Sequence, residues 1–223
     1  MPRKSKYSKE EIAQQGLKIV EERGMESLTA RELAKSLGTT VAPIFVHYPS
    51  MDELKQEIRI MAQEIYHEYL YRGLQEEIPF LGVGKQYIAF AKEKPELYYL
   101  LFLSDRGSEN HCAMDELKKT QELVRESLQN IYRMDAVSAD RYFRDLWLVA
   151  HSIATLLVTG GCSYTETEIH RILTEFSLSL CKAYKEIDGL AEGTYDRDRE
   201  FRKIIYTDGE DEYGRKKWCI DSK

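Results

Sequence analysis

Glu64 and His67, in the run EIYH, stand three residues apart. With that spacing one helix offers a carboxylate and an imidazole to a metal in carboxylate-bridged di-iron bundles. Such a centre also needs a second Glu-x-x-His pair and two further glutamates, and none is evident. Glu166 and His170 share a helix face but stand alone. The five histidines (47, 67, 111, 151 and 170) are isolated, with no nucleophile motif beside them. Cys112, Cys162, Cys181 and Cys219 form no Cys-x-x-Cys pair. The expectation is no catalytic residue, no metal ligand and no cofactor, the Glu/His pairs being solvated helix faces. The competing reading is a helical ligand-binding protein or a metal-dependent enzyme whose N-terminal unit is merely structural.

Charge points to a different chemistry. The net charge is −6, which taken alone argues against nucleic acid. Residues 1–9, however, hold Arg3, Lys4, Lys6 and Lys9 and no acid. A basic leading arm on an acidic body still binds DNA locally, because the field at the contact face outweighs the total. The start of the chain lacks the apolar run of a signal peptide, and no stretch approaches 18 uncharged apolar residues. Scattered cysteines suit a reduced, cytoplasmic protein.

Short helices must position whatever residues touch a partner. Capping boxes, a Ser or Thr followed three residues later by Glu, open helices at Ser8/Glu11, Thr29/Glu32 and Ser50/Glu53. The first helix presents Ile12, Gly16, Ile19 and Val20 on one face and ends at Gly24; the second packs Leu33, Ala34 and Leu37 and stops at Gly38. A third, starting after Thr39 or Thr40, turns Val41, Ile44 and Phe45 inward, with Pro43 in its first turn. Ala34 at the crossing, Gly38 at the turn and Ile44 as anchor form a helix-turn-helix in register.

Beyond Ser50 the pattern is long helices. Residues 51–72 carry Leu54, Ile58, Met61, Ile65 and Tyr69 on one stripe; PFLGVG (79–84) reads as a break before a helix over about 85–93. Pro95 restarts a helix, DRGSENH reads as weakly structured, and another helix spans about 112–133. Ser138 is placed to cap a helix ending near Thr159, and Thr165/Glu168 is a fourth box. The tail after Asp188 holds two β-prone runs around Asp-Gly, which predict a C-terminal β-hairpin or a disordered extension. The fold class is all-α: helix-turn-helix unit 1–49, larger helical domain 50–187, extension 188–223.

The segment LTARELAKSLGTTVAPIFVHYPSMDEL resembles the DNA-binding segment of the tetracycline-repressor (TetR) family of bacterial transcriptional regulators. The close likeness covers residues 8–55, and a weaker one extends through YIAFAKEKPELYYLLF. The resemblance implies that Thr39, Thr40, Ala42 and Pro43 meet base edges in the major groove, and that His47 and Tyr48 reach backbone phosphates. It implies phosphate binding at the helix N-termini of Thr29 and Ser50, and arm contacts from Lys4 and Lys6. There are two departures: Met51 stands where many members carry Lys, and Pro43 replaces an often polar residue. Direct readout is thereby reduced in favour of phosphate positioning and DNA shape. Phe45 is expected inside the small domain and Val46 outside it.

The same resemblance makes the rest a sensing and dimerising domain. Helices 138–159 and 165–185 take the place of the family's dimerising pair, with apolar faces broader than a single contact requires. A pocket for a small-molecule effector is expected near Tyr66, Tyr69, Tyr98, Tyr99, Phe102, Trp147 and His151. The implied protein is a homodimer, most simply a ligand-responsive repressor on a palindromic double-stranded DNA operator.

Overall fold

A computed structural model describes residues 7–104 and 113–205. All regular structure among them is helical: α1 (Lys9–Arg23), α2 (Ala30–Ser36), α3 (Ala42–His47), α4 (Met51–Leu74), α5 (Pro79–Glu93), α6 (Pro95–Tyr98), α7 (Ala113–Tyr132), α8 (Ala136–Val158), α9 (Glu166–Glu186) and α10 (Arg197–Ile205). A single 3-10 turn, Met25–Ser27, links α1 to α2. No described helix is long and apolar enough to cross a membrane.

Hydroxyl caps open α1, α2, α4 and α9 where the sequence places them. The reciprocal carboxylate arm is complete at Ser8/Glu11 and at Thr165/Glu168. At Thr29 and Ser50 the hydroxyl alone accepts from the N3 amide, each at 3.2 Å. Glu32 turns instead to Arg23, 3.0 Å away. The turn after α2 is a Schellman arrangement: the Thr39 amide donates to the Ala34 carbonyl at 2.9 Å and the Gly38 amide to Lys35 at 3.1 Å. Gly38 sits at φ +62°, a left-handed conformation that glycine adopts without steric cost.

The small unit closes on α4. Ile12, Ile19, Val20, Leu33 and Ile44 are buried together with Leu54 and Ile58 from the first turns of α4. Farther along the same helix Tyr66 and Leu70 enter the core of the larger domain. A helix of 24 residues, about 36 Å long, therefore belongs to both cores. Its buried stripe is Leu54, Ile58, Ala62, Tyr66, Tyr69 and Leu70, with Met61 and Ile65 only half buried.

Three local expectations are corrected. PFLGVG is not a break: α5 starts at Pro79 and runs through it. Glycine is tolerated there because α4 and α5 cross backbone to backbone; a Cβ on Gly82 would lie 2.3 Å from the Gly73 carbonyl oxygen. Helix α8 is capped by Asp135, not Ser138, since its carboxylate accepts from the Val137 and Ser138 amides and from the Ser138 hydroxyl. Ile204 and Ile205, the first run of the expected hairpin, end α10; its remainder lies outside the described residues, as does DRGSENH.

After Pro95 the chain makes one α-turn and then widens. Tyr99–Leu103 form a π-helical turn in which the Ser104 amide reaches back to the Tyr99 carbonyl at 2.8 Å. Such turns occur often at functional sites, and this one points Phe102 into the domain.

Candidate nucleic-acid interface and sensing cavity

Helix α3 is six residues long, so a 3.6-residue period leaves it one inward face. Ile44 and, one turn on, Tyr48 take that face, 0% and 1% exposed. Of the three residues between them, Phe45 and Val46 look out and His47 is half-buried. Phe45 is 44% exposed and Val46 72%, and Val41 at the cap is also exposed. Val46 is outside as expected; Phe45 and Val41 are not inside. The register of Ile44 with residue 48 was a signal for this, since residues 45 and 46 then lie on the outer side. Thr40 and Ala42 are exposed beside them, and Thr39 and Pro43 are half-buried.

Tyr48 is a correction. Its hydroxyl donates to the Lys9 carbonyl at 3.2 Å, so the ring ties α3 to α1 and is turned away from any phosphate outside. Lys9 lies over that ring, 5.0 Å from its centroid, and pairs with Glu57 at 2.7 Å. His47 is half-buried and its Nε2 has no hydrogen-bond partner. Thr29 is exposed and Ser50 half-buried, each at a helix N-terminus. The first turn of α2 holds Glu32 and that of α4 holds Asp52 and Glu53, which oppose an approaching phosphate; the first turn of α3 holds no acid. Met51 packs half-buried against the core rather than reaching outward. Lys4 and Lys6 lie outside the described residues.

Five of the seven residues expected at a pocket come together. Phe102 meets the rings of Tyr66, Tyr87, Tyr98, Trp147 and His151 with centroids between 5.1 and 6.5 Å. Trp147 and His151 stack at 4.7 Å and 7°. Tyr99 is corrected: it is 52% exposed, carried outward by the π-turn. Tyr69 is buried outside the group, its hydroxyl donating to Glu93 at 2.6 Å and Arg72 lying over its ring. Tyr87 and Thr120 were not anticipated. Tyr87 sits in the segment read as starting after a break, and Thr120 carries no local signal at all.

Polar groups in this cluster are neutral. Burial holds the His151 imidazole below its usual range and pushes the Tyr66 and Tyr87 hydroxyls up. With its proton on Nε2, His151 offers one in-plane lone pair at Nδ1. Tyr87 lies 2.9 Å from it and Tyr98 3.0 Å; Tyr98 is also 3.0 Å from the Thr155 hydroxyl. Tyr66 and Thr120 pair their hydroxyls at 3.2 Å. The Trp147 indole N–H faces the Tyr66 hydroxyl, but outside normal hydrogen-bond geometry. Tyr66, Tyr87, Thr120 and Trp147 of this cluster, with Leu70, Val83 and Leu146, line an apolar cavity of about 10 Å³, the space of roughly one water.

The cluster is wired to the small unit. Arg59 of α4 donates to the Leu100 carbonyl in the π-turn at 2.8 Å. Lys94, just before α6, pairs with Glu21 of α1 at 3.1 Å, and the Glu96 carboxylate lies against Gly24 at the end of α1.

No group of three or more His, Cys, Asp or Glu side chains among the described residues could hold a metal ion. Comparison with known proteins points the same way as the geometry of α2 and α3. Residues 9–58 match the family described as bacterial regulatory proteins, tetR family. A similar curated protein is an uncharacterized HTH-type transcriptional regulator of Mycobacterium tuberculosis. It is 24% identical over 181 residues, covering 80% of this chain and 82% of that protein.

Proposed function

We propose that, as a transcriptional regulator of the tetR family, this chain acts as a homodimeric repressor that leaves a palindromic operator when a small molecule enters the aromatic cavity. Residues 1–49 read DNA, residues 50–187 sense and dimerise, and the protein is cytoplasmic and not an enzyme. The observation that carries the reading is the outward face of α3 and the turn before it: Ala42, Phe45 and Val46 stand clear of the fold on a helix whose first turn has no acid, with Thr40 exposed just ahead of it. Thr40 hydrogen-bonds a base or phosphate, and Ala42, Phe45 and Val46 pack on thymine methyls in the major groove.

Coupling follows from the contacts of α4 and α6. A molecule that moves the π-turn pulls on Arg59 and on the Lys94–Glu21 pair, and so tilts α1 and α4. Half-sites lie about one DNA turn apart, roughly 34 Å, so a small change in the spacing of two recognition helices prevents both from engaging.

Binding to a palindromic fragment from upstream of the chain's own gene, with a salt titration, tests the reading. Expected are a specific affinity of about 10⁻⁸ M or tighter and a steep salt dependence. No preference over random DNA would sink it. Thr40→Ala is expected to narrow the gap between specific and random DNA, whereas Lys6→Ala lowers affinity for both alike. Equal losses for Thr40→Ala on both DNAs would remove its reading role.

For the dimer, exposed apolar side chains on α8 and α9 supply the contact: Leu148 and Leu156 two turns apart, and Phe176. Leu148→Asp, placing a charge at the core of such an interface, should raise the dimer dissociation constant at least about 100-fold. Sedimentation at micromolar concentration reads this directly. An unchanged dimer would place the interface elsewhere.

A further inference from the structure

The cavity against Trp147 carries information about what it takes. No charged side chain lines it. The nearest buried carboxylate, Glu116, is 2% exposed and one helical turn from Thr120 on α7. Its Oε1 already accepts from Gln63 at 2.6 Å and Lys119 at 3.0 Å. A carboxylate ligand would find no cation in the cavity and this charge nearby, and a buried unpaired charge is costly. The lining hydroxyls are largely spent on one another or on His151, whereas the Trp147 N–H has only an ill-aligned contact with the Tyr66 hydroxyl. Trp147 is 5% exposed, and an unmade hydrogen bond at so buried a donor is a standing penalty that a ligand oxygen would remove. Around it the walls are aromatic faces and edges. Phe102, carried on the π-turn, stands just outside the lining and touches three of its rings, Tyr66, Tyr87 and Trp147.

We infer that the effector is an uncharged, flat aromatic molecule bearing an oxygen acceptor, that its ring takes the place of Phe102, and that its oxygen accepts from the Trp147 indole N–H. This rests on reading the larger domain as the sensor, and it names the class of molecule sensed. In the closed form the cavity holds no such ring, so binding requires Phe102 to swing out with the π-turn. That movement acts on the Leu100 carbonyl held by Arg59.

Isothermal titration of the full chain with 1-naphthol, 1-methylnaphthalene, 1-naphthoate and 1-naphthylmethylammonium tests this. The four share a ring system and differ in the polar group. 1-Naphthol is expected to bind about tenfold tighter than 1-methylnaphthalene, the value of one hydrogen bond to a buried donor. The anion and the cation should bind at least tenfold more weakly than the naphthol. Phe102→Ala, checked by circular dichroism, should tighten naphthol binding about tenfold, because the ring need no longer be displaced. Should that variant fail to fold, Trp147→Phe decides: it keeps the ring, removes the N–H, and is expected to erase the naphthol preference to within about twofold. The inference is overturned if the naphthoate or the ammonium binds as tightly as the naphthol. It is likewise overturned if Trp147→Phe keeps the preference, or if folded Phe102→Ala binds no tighter. Retention of the upstream DNA fragment is measured on the same unliganded preparation. A protein that holds the fragment but rejects naphthol refutes the ligand class alone, while one that never holds it refutes the regulator.

Discussion

Gly82→Ala is expected to destabilise the protein by about 2 kcal/mol, although the residue is in the interior of a helix where alanine is the better helix former. The two effects have opposite signs, and their sizes decide the outcome. Helix propensity alone would favour the alanine by about 0.8–1 kcal/mol. Against this, the new methyl would sit 2.3 Å from the Gly73 carbonyl oxygen and 2.9 Å from the Glu76 Cβ. The nearest obstacle is backbone, which cannot rotate away as a flexible side chain would. Relieving it means separating α4 from α5 along a crossing that Gly73 closes from the other side, where a Cβ would meet Val83 N at 2.6 Å. Overpacking of this kind costs typically 1–3 kcal/mol, occasionally more. Urea unfolding at fixed protein concentration reads the change as a lowered midpoint at constant slope. A neutral or stabilised Gly82→Ala would show that the crossing opens freely, and the backbone-to-backbone account of PFLGVG would fall.

Val46→Glu should abolish operator binding, by at least about 100-fold, with a melting temperature within about 2 °C of the parent. The side chain is 72% exposed, so the fold has little stake in it. At a groove surface the same change removes an apolar contact and sets a carboxylate among phosphates, which the acids already present in the first turns of α2 and α4 do not offset. Gel-shift titration beside a thermal melt separates the two readouts. Binding that survives with the fold intact would mean that the outer face of α3 is not the reading face. Loss of both together would mean that Val46 supports the fold, contrary to its exposure.

These two positions differ in how far local pattern alone could have located them. The caps Ser8, Thr29, Ser50 and Thr165, Gly38 at its turn and Ile44 as anchor act over three or four residues of chain, and each stands in the structure where the spacing puts it; Ser138 yields its cap to Asp135 three residues before it. Which side chains those elements bury is set by more distant packing. Phe45 is expected inward, but a six-residue helix has room for one buried row, and Ile44 with Tyr48 fills it. Tyr48 was assigned to phosphate on the strength of a family position, yet the Lys9 carbonyl lies within its reach only because α1 packs there. PFLGVG looked like a break because Pro and two Gly usually end helices. What keeps it helical is Gly73, nine residues earlier than Gly82 and on another helix.

The sensing cluster divides in the same way. Trp147 and His151 were paired by their i, i+4 spacing, and they stack. Tyr98 and Tyr99 are neighbours that local pattern does not tell apart, yet Tyr98, ending α6, is buried and Tyr99, opening the π-turn, is exposed. By itself, then, the sequence determined an all-helical chain, the starts of α1, α2, α4 and α9, the turn at Gly38, and a helix-turn-helix unit resembling that of the TetR family over residues 8–55, because capping and turn chemistry act between near neighbours. Only the tertiary structure decided which rings share the cavity, which face of α3 is free, and where two helices cross without a side chain between them. Each of those depends on atoms that are distant in the chain and adjacent in space.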